Sequence, residues 1–360
     1  MMSLFTPYRK LGLKNRAVLA PMTRYSCSEL GLPTAKLAEY YVDKAKGGVG
    51  LIVVESCAIN DAEAVGYVNG ARFHSERHSD AWKPILKKIN DAGAKVWVQL
   101  FHAGRLTVKE VAGFPPVSAS ALPPDKGLSF WRPDIDGEVC HFQTKTPFQV
   151  PRELSTKEIK TVIKQFAKAC AFAEKAGFDG AELHGAHGYL LHQFAHRSTN
   201  IREDGYGASG DFRFIKELVI ACREAVSKSF LLSYRLSVHM VDNSYVRYDK
   251  ADYNIPALVK ILDQCGIDVF HSSEIRAGAP VFGAELSLNE IIRTATNKPL
   301  IVCGGINSEE EANDLLENNA DLVAFGRSLI SNPALINNWE NDRGQEIVKF
   351  SYSKHMQDLI

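Results

Sequence analysis

Three groups able to donate a proton or a hydrogen bond, His184, His187 and Tyr189, fall within six residues of the stretch DGAELHGAHGYLLHQF, Asp179–Phe194. A short apolar run ends in His184. A glycine-punctuated loop then carries His187 and Tyr189, and a further apolar segment follows. The run predicts a strand, and parallel α/β folds place their chemistry just beyond strand ends. Two imidazoles and a phenol at such a place could hold the electron-poor end of a substrate while another group delivers electrons. The same histidines also admit plainer roles, as ordinary loop residues or as metal ligands together with His192. A metal site would want carboxylates or further histidines from other strand ends, and none stands out in the sequence.

Other strand ends carry polar groups too. One predicted strand ends in Cys303-Gly304-Gly305 and the next in Gly326-Arg327. Backbone N–H groups after consecutive late strands commonly hold a phosphate in barrel folds. Glycines let the backbone approach closely, and Arg327 can add a bidentate charged contact. Gln99 and Arg235 end two more apolar runs. They could present an amide and a fixed cation to a heterocycle, stabilising negative charge on a reduced ring. Alternatively, Arg235 could pair with a carboxylate inside the fold, such as Glu55 or Glu182.

The elements that must position these residues form a repeating pattern. Strands are predicted at Ala17–Ala20, Gly50–Val54, Lys95–Leu100, Gly180–His184, Leu231–Arg235, Asp268–His271, Leu300–Val302 and Leu322–Phe325. Between them the amphipathic period predicts helices at Thr34–Lys46, Ser79–Ala92, Thr156–Ala176, Asp211–Ser227, Asn254–Gln264, Leu286–Thr296 and Glu309–Asn318, and a last one from near Ser328. Ser155 with Glu158, and Ser308 with Glu311, fit capping boxes. Gly47, Gly93, Gly177 and Gly266 fall where left-handed helix caps are wanted. Eight strands alternating with eight helices predict an α/β (β/α)8 TIM barrel, with a doubly wound sheet as the competitor. No G-x-G-x-x-G opens a helix after an early strand, which counts against the competitor. With no linker or low-complexity tract, residues 1–360 read as a single domain, with the barrel over about 15–340. The segment Phe5–Asn15 predicts a small hairpin before the barrel. Two long loops are expected at its mouth: a lid over about 101–155, with Glu138–Val150 alternating like a hairpin, and Ser237–Asp252.

Composition limits the function classes. Lys plus Arg and Asp plus Glu are both 42 in 360 residues, so the formal charge is zero. A nucleic-acid-binding chain would need a basic face. No apolar stretch approaches the roughly 20 residues needed to span a bilayer, and no signal peptide is expected from the start, MMSLFTPYRK. Seven scattered cysteines without C-x-x-C predict reduced thiols in a cytoplasmic protein.

In order along the chain stand Asn15-Arg16, Ala20-Pro21-Met22-Thr23, Val54-Glu55, Gln99-Leu100, His102-Ala103-Gly104-Arg105 and His184-Gly-Ala-His187-Gly-Tyr189. Asn200-x-Arg202-x-Asp204-x-Tyr206-Gly207, Phe325-Gly326-Arg327 and Asn332-Pro333 follow. The ordered set, covering roughly residues 4–335, resembles the old yellow enzyme family of flavin-dependent alkene reductases. The resemblance implies a barrel that holds FMN non-covalently and is recharged by NAD(P)H in a ping-pong cycle. It implies that Ala20, Pro21, Met22 and Thr23 line one side of the ring, with Ser56 and Gln99 nearby. Arg235 would face the pyrimidine end, and Gly326 with Arg327 would hold the phosphate, beside the Gly304 and Gly305 that the strand ends already point to. His184 and His187 would hydrogen-bond the oxygen of an unsaturated carbonyl or nitro substrate, Tyr189 would be the proton donor, and Tyr25 a substrate contact. Thr23 stands where one subgroup of the family has a redox-tuning cysteine, whereas Tyr25 is similar to that same subgroup. His196-Arg197, Ala208-Ser209 and Phe212-Arg213 depart from the family pattern and leave the shape of Ala195–Phe212 open. The partner implied is a small molecule, with no nucleic acid or membrane and with the chain as a monomer or homo-oligomer. Other readings are a flavin reductase of nitroesters, quinones or xenobiotics, a tRNA-acting flavin barrel, or a non-catalytic flavin binder. The neutral charge counts against tRNA, and the intact His184, His187 and Tyr189 count against an inert binder.

Overall fold

A computed structural model describes residues 3–124, 147–208, 210–243, 245–344 and 347–351. Strands β1 (Ala17–Leu19), β2 (Leu51–Ala58), β3 (Lys95–Phe101), β4 (Gly180–His184), β5 (Leu231–Leu236), β6 (Val269–Ser273), β7 (Leu300–Cys303) and β8 (Leu322–Phe325) pair in parallel and close into one barrel. Closure is made where β1 pairs with β8 in the register Ala17↔Val323, Val18↔Ala324 and Leu19↔Phe325. This is the (β/α)8 architecture, and the doubly wound alternative falls away. The crossover helices are α1 (Ala35–Lys46), α2 (Glu76–Asp91), α3 (Thr156–Ala176), α4 (Arg213–Glu224), α5 (Ile255–Cys265), α6 (Leu288–Arg293), α7 (Glu309–Asn318) and the short α8 (Arg327–Ser331).

The strand period of two sorts side chains between inside and outside. Outward residues such as Ile52, Val54, Val96, Val98, Leu183, Leu232 and Phe270 belong to the core shared with the helices. Inward residues form layers. The lowest, with Val18, Leu51, Val53, Trp97, Val269, Ile301 and Leu322, is apolar and includes Tyr8 and Leu13 of the N-terminal segment. That segment is hairpin-like, as expected: Tyr8 and Leu13 exchange backbone hydrogen bonds of 3.0 and 3.1 Å around a 3-10 turn at Arg9–Leu11. One step up, Gln99, Glu182, Ser233 and His271 make a buried polar layer, all fully enclosed. Above it the mouth opens.

Local signals held unevenly. The Ser155–Glu158 capping box is present. Ser308 caps α7, but the Glu311 carboxylate takes the Asn307 N–H at 2.8 Å, so the reciprocal half of that box is absent. Another box, Ser287–Glu290, opens α6. Gly177 and Gly266 are left-handed caps, and Gly93 follows the cap with φ +81°. Gly47, at φ −75°, is not left-handed.

Both long loops reach the mouth end. In the loop after β3, Val117–Ser118 pairs in parallel with Arg152–Glu153. Residues 125–146 lie outside the described ones, and with them most of the expected hairpin at Glu138–Val150. Two buried side chains tie this loop to its neighbours. Arg105 donates to Asp242 at 2.8 Å and to the carbonyls of Leu122 and Pro123. Gln193 accepts from Ser118 Oγ at 2.9 Å and donates to the Gly188 carbonyl at 2.7 Å. The segment Ala195–Phe212 is held similarly. Asn200 donates to the carbonyls of Phe194 and Tyr206, while Arg202 binds Asp204 and reaches the carbonyls of Ala119 and Leu154.

Candidate functional site

β4 delivers His184 to the mouth, and the loop that follows turns sharply. Gly185 lies against the Tyr234 ring, where a Cβ would come within 2.2 Å, so only glycine fits. His187 takes a left-handed φ of +61°, and the Ser237 hydroxyl accepts its N–H at 2.7 Å. The His184 and His187 rings stand 5.2 Å apart, nearly perpendicular, and the Tyr189 ring lies 4.8 Å from His184. His184 Nδ1 accepts the Ala186 N–H at 3.3 Å, which leaves the ring proton of the neutral form on Nε2. Burial, helped by the Arg235 charge, holds the His184 pKa well below the usual imidazole range. His184 is therefore a neutral N–H donor. His187 Nε2 meets Ser273 Oγ at 3.0 Å, and that oxygen accepts from Arg235 Nη2 at 2.9 Å.

The Tyr189 hydroxyl is in a short hydrogen bond with the hydroxyl of Tyr67, which is also hydrogen-bonded with the Thr23 side chain. Burial raises the pKa of both phenols, so both stay protonated. Tyr25, at φ +55°, sets its ring edge-on to Tyr67 at 5.8 Å. The segment carrying Thr23 and Tyr25 is anchored from below by Glu55, which accepts the Arg24 N–H at 3.1 Å. A register shift in β2 between Val54 and Ser56 makes room for this. Such a bulge re-aims neighbouring side chains, here Glu55 toward Tyr41 and Arg24 and Ser56 into the cavity. Burial pushes the Glu55 pKa up to about 7.

Below the mouth, Glu182 is the hub of the polar layer. It accepts from Gln99 at 2.8 Å, Ser233 at 3.1 Å and His271 Nδ1 at 2.7 Å. Neither Glu182 nor Glu55 forms an ion pair with Arg235 among the described residues, so the alternative of a structural pair for Arg235 is not realised. Arg235 is 5 % exposed, and its Nε is buried with no hydrogen-bond partner.

A single cavity is lined by Ala20, Pro21, Met22, Thr23, Tyr25, Ser56, His184, His187, Tyr189, Arg235, Gly304, Gly305, Gly326 and Arg327. All were singled out by sequence. Gln99 lies just below, where its Oε1 accepts from Ser56 and its Nε2 donates to Glu182. His192 is also elsewhere, with Nδ1 accepting the Gly188 N–H at 3.1 Å beneath the loop. Among the described residues no group of three or more His, Cys, Asp or Glu is placed to hold a metal ion. No helix among them is long and apolar enough to cross a membrane. Sequence reasoning missed Tyr67, Ser273 and the His239–Glu274 pair at 3.0 Å, and gave Cys303 no role beyond ending its strand; all are at the cavity. Ser273 and Cys303 follow their strands' inward period and could have been found. Tyr67 sits in a loop without a pattern.

The cavity fits a flavin mononucleotide on two observations. Arg235 Nε is an orphaned donor in its wall. At the other end Gly304, at φ +149°, is pressed so close to the Glu274 carbonyl that a Cβ would meet it at 2.3 Å. With Gly305 and Gly326 it leaves bare backbone beside Arg327, as phosphate binding requires. A closed parallel barrel with such a cradle, a fixed cation and an imidazole–phenol set defines a flavin-dependent oxidoreductase. The chain belongs to the NADH:flavin oxidoreductase / NADH oxidase family, which it matches over residues 3–346. It is 33% identical to the NADPH dehydrogenase of Clostridium acetobutylicum, over 93% of this chain and 94% of that protein. It is 34% identical to 12-oxophytodienoate reductase 1 of Oryza sativa subsp. japonica, over 94% of this chain and 86% of that protein. The NADH oxidase of Thermoanaerobacter brockii is 32% identical, and there the chain spans 50% of the longer protein. Among solved structures, the old yellow enzyme homologue from Zymomonas mobilis superposes with a TM-score of 0.83 at 30% identity, covering 96% of this chain and 94% of that one. Morphinone reductase in complex with tetrahydroNAD gives 0.82 at 29%, covering 98% and 93%. The chain is thus an NAD(P)H-dependent flavin oxidoreductase of the old yellow enzyme type, with FMN as its cofactor.

Proposed function

We propose that the whole chain acts as one FMN-binding unit. It reduces the C=C bond of small α,β-unsaturated carbonyl or nitro compounds in a ping-pong cycle. The observation that carries this reading is the convergence of His184, His187 and Tyr189 on the cavity that Arg235 and the glycine cradle also line. Bound FMN supplies to the alkene a hydride taken from NAD(P)H. The protein's part is to orient the alkene and manage charge and protons. His184 Nε2–H and the His187 ring donate to the substrate oxygen, where negative charge develops as the β-carbon is reduced. Preorganised donors in a buried site are worth most against developing charge. Ser273 holds the His187 ring in place. Tyr189 then gives its proton to the α-carbon as general acid. The hydroxyl of Tyr67 stabilises the phenolate left behind and, through Thr23, begins a path for its reprotonation.

The test is anaerobic. The FMN-loaded protein is bleached with one equivalent of NADPH and then given cyclohexenone. Return of the flavin absorbance with formation of cyclohexanone is expected. A reduced flavin that enones leave bleached, while a quinone restores it, would replace this reading with that of a quinone reductase.

A further inference from the structure

Cys303 ends β7 on the cavity wall, and its surroundings differ from those of the other described cysteines. Cys27, Cys57, Cys170 and Cys222 are buried, and Cys265 is half-buried away from the cavity. Beside Cys303 stands His271, wholly enclosed, with Nδ1 fixed by the Glu182 carboxylate at 2.7 Å. The other ring nitrogen, Nε2, is buried with no hydrogen-bond partner, and Cys303 stands on the neighbouring strand, opposite Ser273 two residues on from His271. Arg235 Nη2 approaches the same sulfur at 3.9 Å. A nucleophile next to a base whose far side is oriented by a third group is the arrangement that activates thiols. Here it stands on the cavity wall, outside the imidazole–phenol set.

We propose that Cys303 is an activated thiol and a modification site for soft carbon electrophiles, with His271 as its base and Glu182 as the positioning residue. It is open when the cavity lacks FMN and closed when FMN fills it. Because enones are themselves such electrophiles, the cofactor-free protein is liable to alkylation by the class of molecule that the loaded enzyme is proposed to reduce. That corollary rests on the proposed function; the site itself does not. The step balances without a co-reactant. The thiol proton passes to His271 Nε2, sulfur forms a bond to one alkene carbon as the π bond breaks, and the other carbon takes the proton back from the imidazolium.

The electrostatics run the same way. Burial would raise the Cys303 pKa, but the neighbouring His271 imidazole and the Arg235 charge outweigh it, and the net direction is down. Glu182 in turn raises His271 against its own burial. These are the ionisable groups that face the sulfur: His271 from β6, Arg235 from β5, and Glu182 on β4 behind the imidazole. By contrast, burial raises the Cys265 pKa.

The probe is N-ethylmaleimide, used on FMN-free and FMN-loaded protein, with intact mass and peptide mapping as readouts. In the FMN-free protein Cys303 should be labelled first among the described cysteines, about tenfold faster than Cys265 near neutral pH. The midpoint of its pH–rate profile should lie below that of Cys265, FMN should suppress its labelling about tenfold or more, and labelled protein should no longer quench FMN fluorescence. His271→Asn should move that midpoint up, and Cys303→Ser should remove the label from its peptide. If His271→Asn does not fold, the pH profile of the unmodified protein decides. Labelling at Cys265 ahead of Cys303, a Cys303 midpoint at or above that of Cys265, or labelling indifferent to FMN would each overturn the proposal.

Discussion

His184 works as a donor because it is denied a proton. Its Nδ1 is occupied by the Ala186 N–H, and burial with Arg235 nearby keeps the ring neutral, so Nε2–H is fixed in identity and direction. His184→Ala should therefore weaken binding of phenolic ligands by about tenfold or more, the worth of one hydrogen bond to a charged oxygen, and should slow turnover with it. Unchanged phenol affinity, read from the charge-transfer band, would contradict the role. Tyr67→Phe should slow reoxidation by enone less than loss of Tyr189 does, because it removes a partner of the acid and not the acid; comparing the two oxidative half-reactions checks this. At this scale the sequence was legible where residues stand at or just past strand ends, as with His184, Arg235, Gly304 and Gly326. It was not legible where cross-strand partners decide. Nothing near Gln99 in the chain reveals that its amide binds Ser56 and Glu182, 43 and 83 residues away.

Loops and helices form the next scale. The loop after β3 is pinned by the buried pair Arg105–Asp242 and by the Gln193 hub. Removing one partner of a buried ion pair costs about 3–5 kcal/mol, since a desolvated charge is left behind. Asp242→Asn should lower stability by an amount of that order in denaturant titration, and should raise KM more than it lowers kcat, because the cavity wall moves while the acid stays. Ser155→Ala, which opens the capping box of α3 far from the site, should cost about 1 kcal/mol and leave both constants alone. The helix starts were readable because a cap is a local contract between neighbouring residues. Gly47 illustrates the limit: the chain beyond it turns by another route, against Pro333, whose carbonyl a Cβ would meet at 1.8 Å. The anchors of Ala195–Phe212 were unreadable for the same reason as Gln99, since Arg202 reaches carbonyls in distant loops.

For the whole molecule the barrel was legible from the strand–helix period, and each of the eight strands lies where its apolar run predicted, with ends shifted by a few residues. The layered interior was not. Period two marks Glu182 and His271 as inward, but only closure of the barrel shows that they meet. These enclosed groups set the acid stability. Burial depresses the pKa of His78 to about 4 and of His102 to about 3, and holds His184 and His192 well below the ordinary 6.5. Between each depressed value and 6.5 the unfolded chain binds a proton that the folded chain refuses, so stability falls as pH drops below 6.5. Glu55, raised to about 7, acts in the opposite sense but is a single group, and His271, raised against its burial, adds to that opposition. The net expectation is a Tm about 5 °C lower at about pH 5.5 than at about pH 7, measured by scanning calorimetry. A Tm that rises on acidification would show that Glu55 and His271 dominate.

The central claim is a division of labour, with His184 and His187 on one oxygen and Tyr189 on one carbon. Rapid-reaction kinetics of Tyr189→Phe test it most directly, because NADPH reduction and enone reoxidation are read separately from the same flavin band. Loss of the general acid should slow reoxidation by cyclohexenone about a hundredfold or more while reduction by NADPH stays within about twofold. Equal loss in both half-reactions, or in neither, would contradict the assignment of Tyr189 as the proton donor.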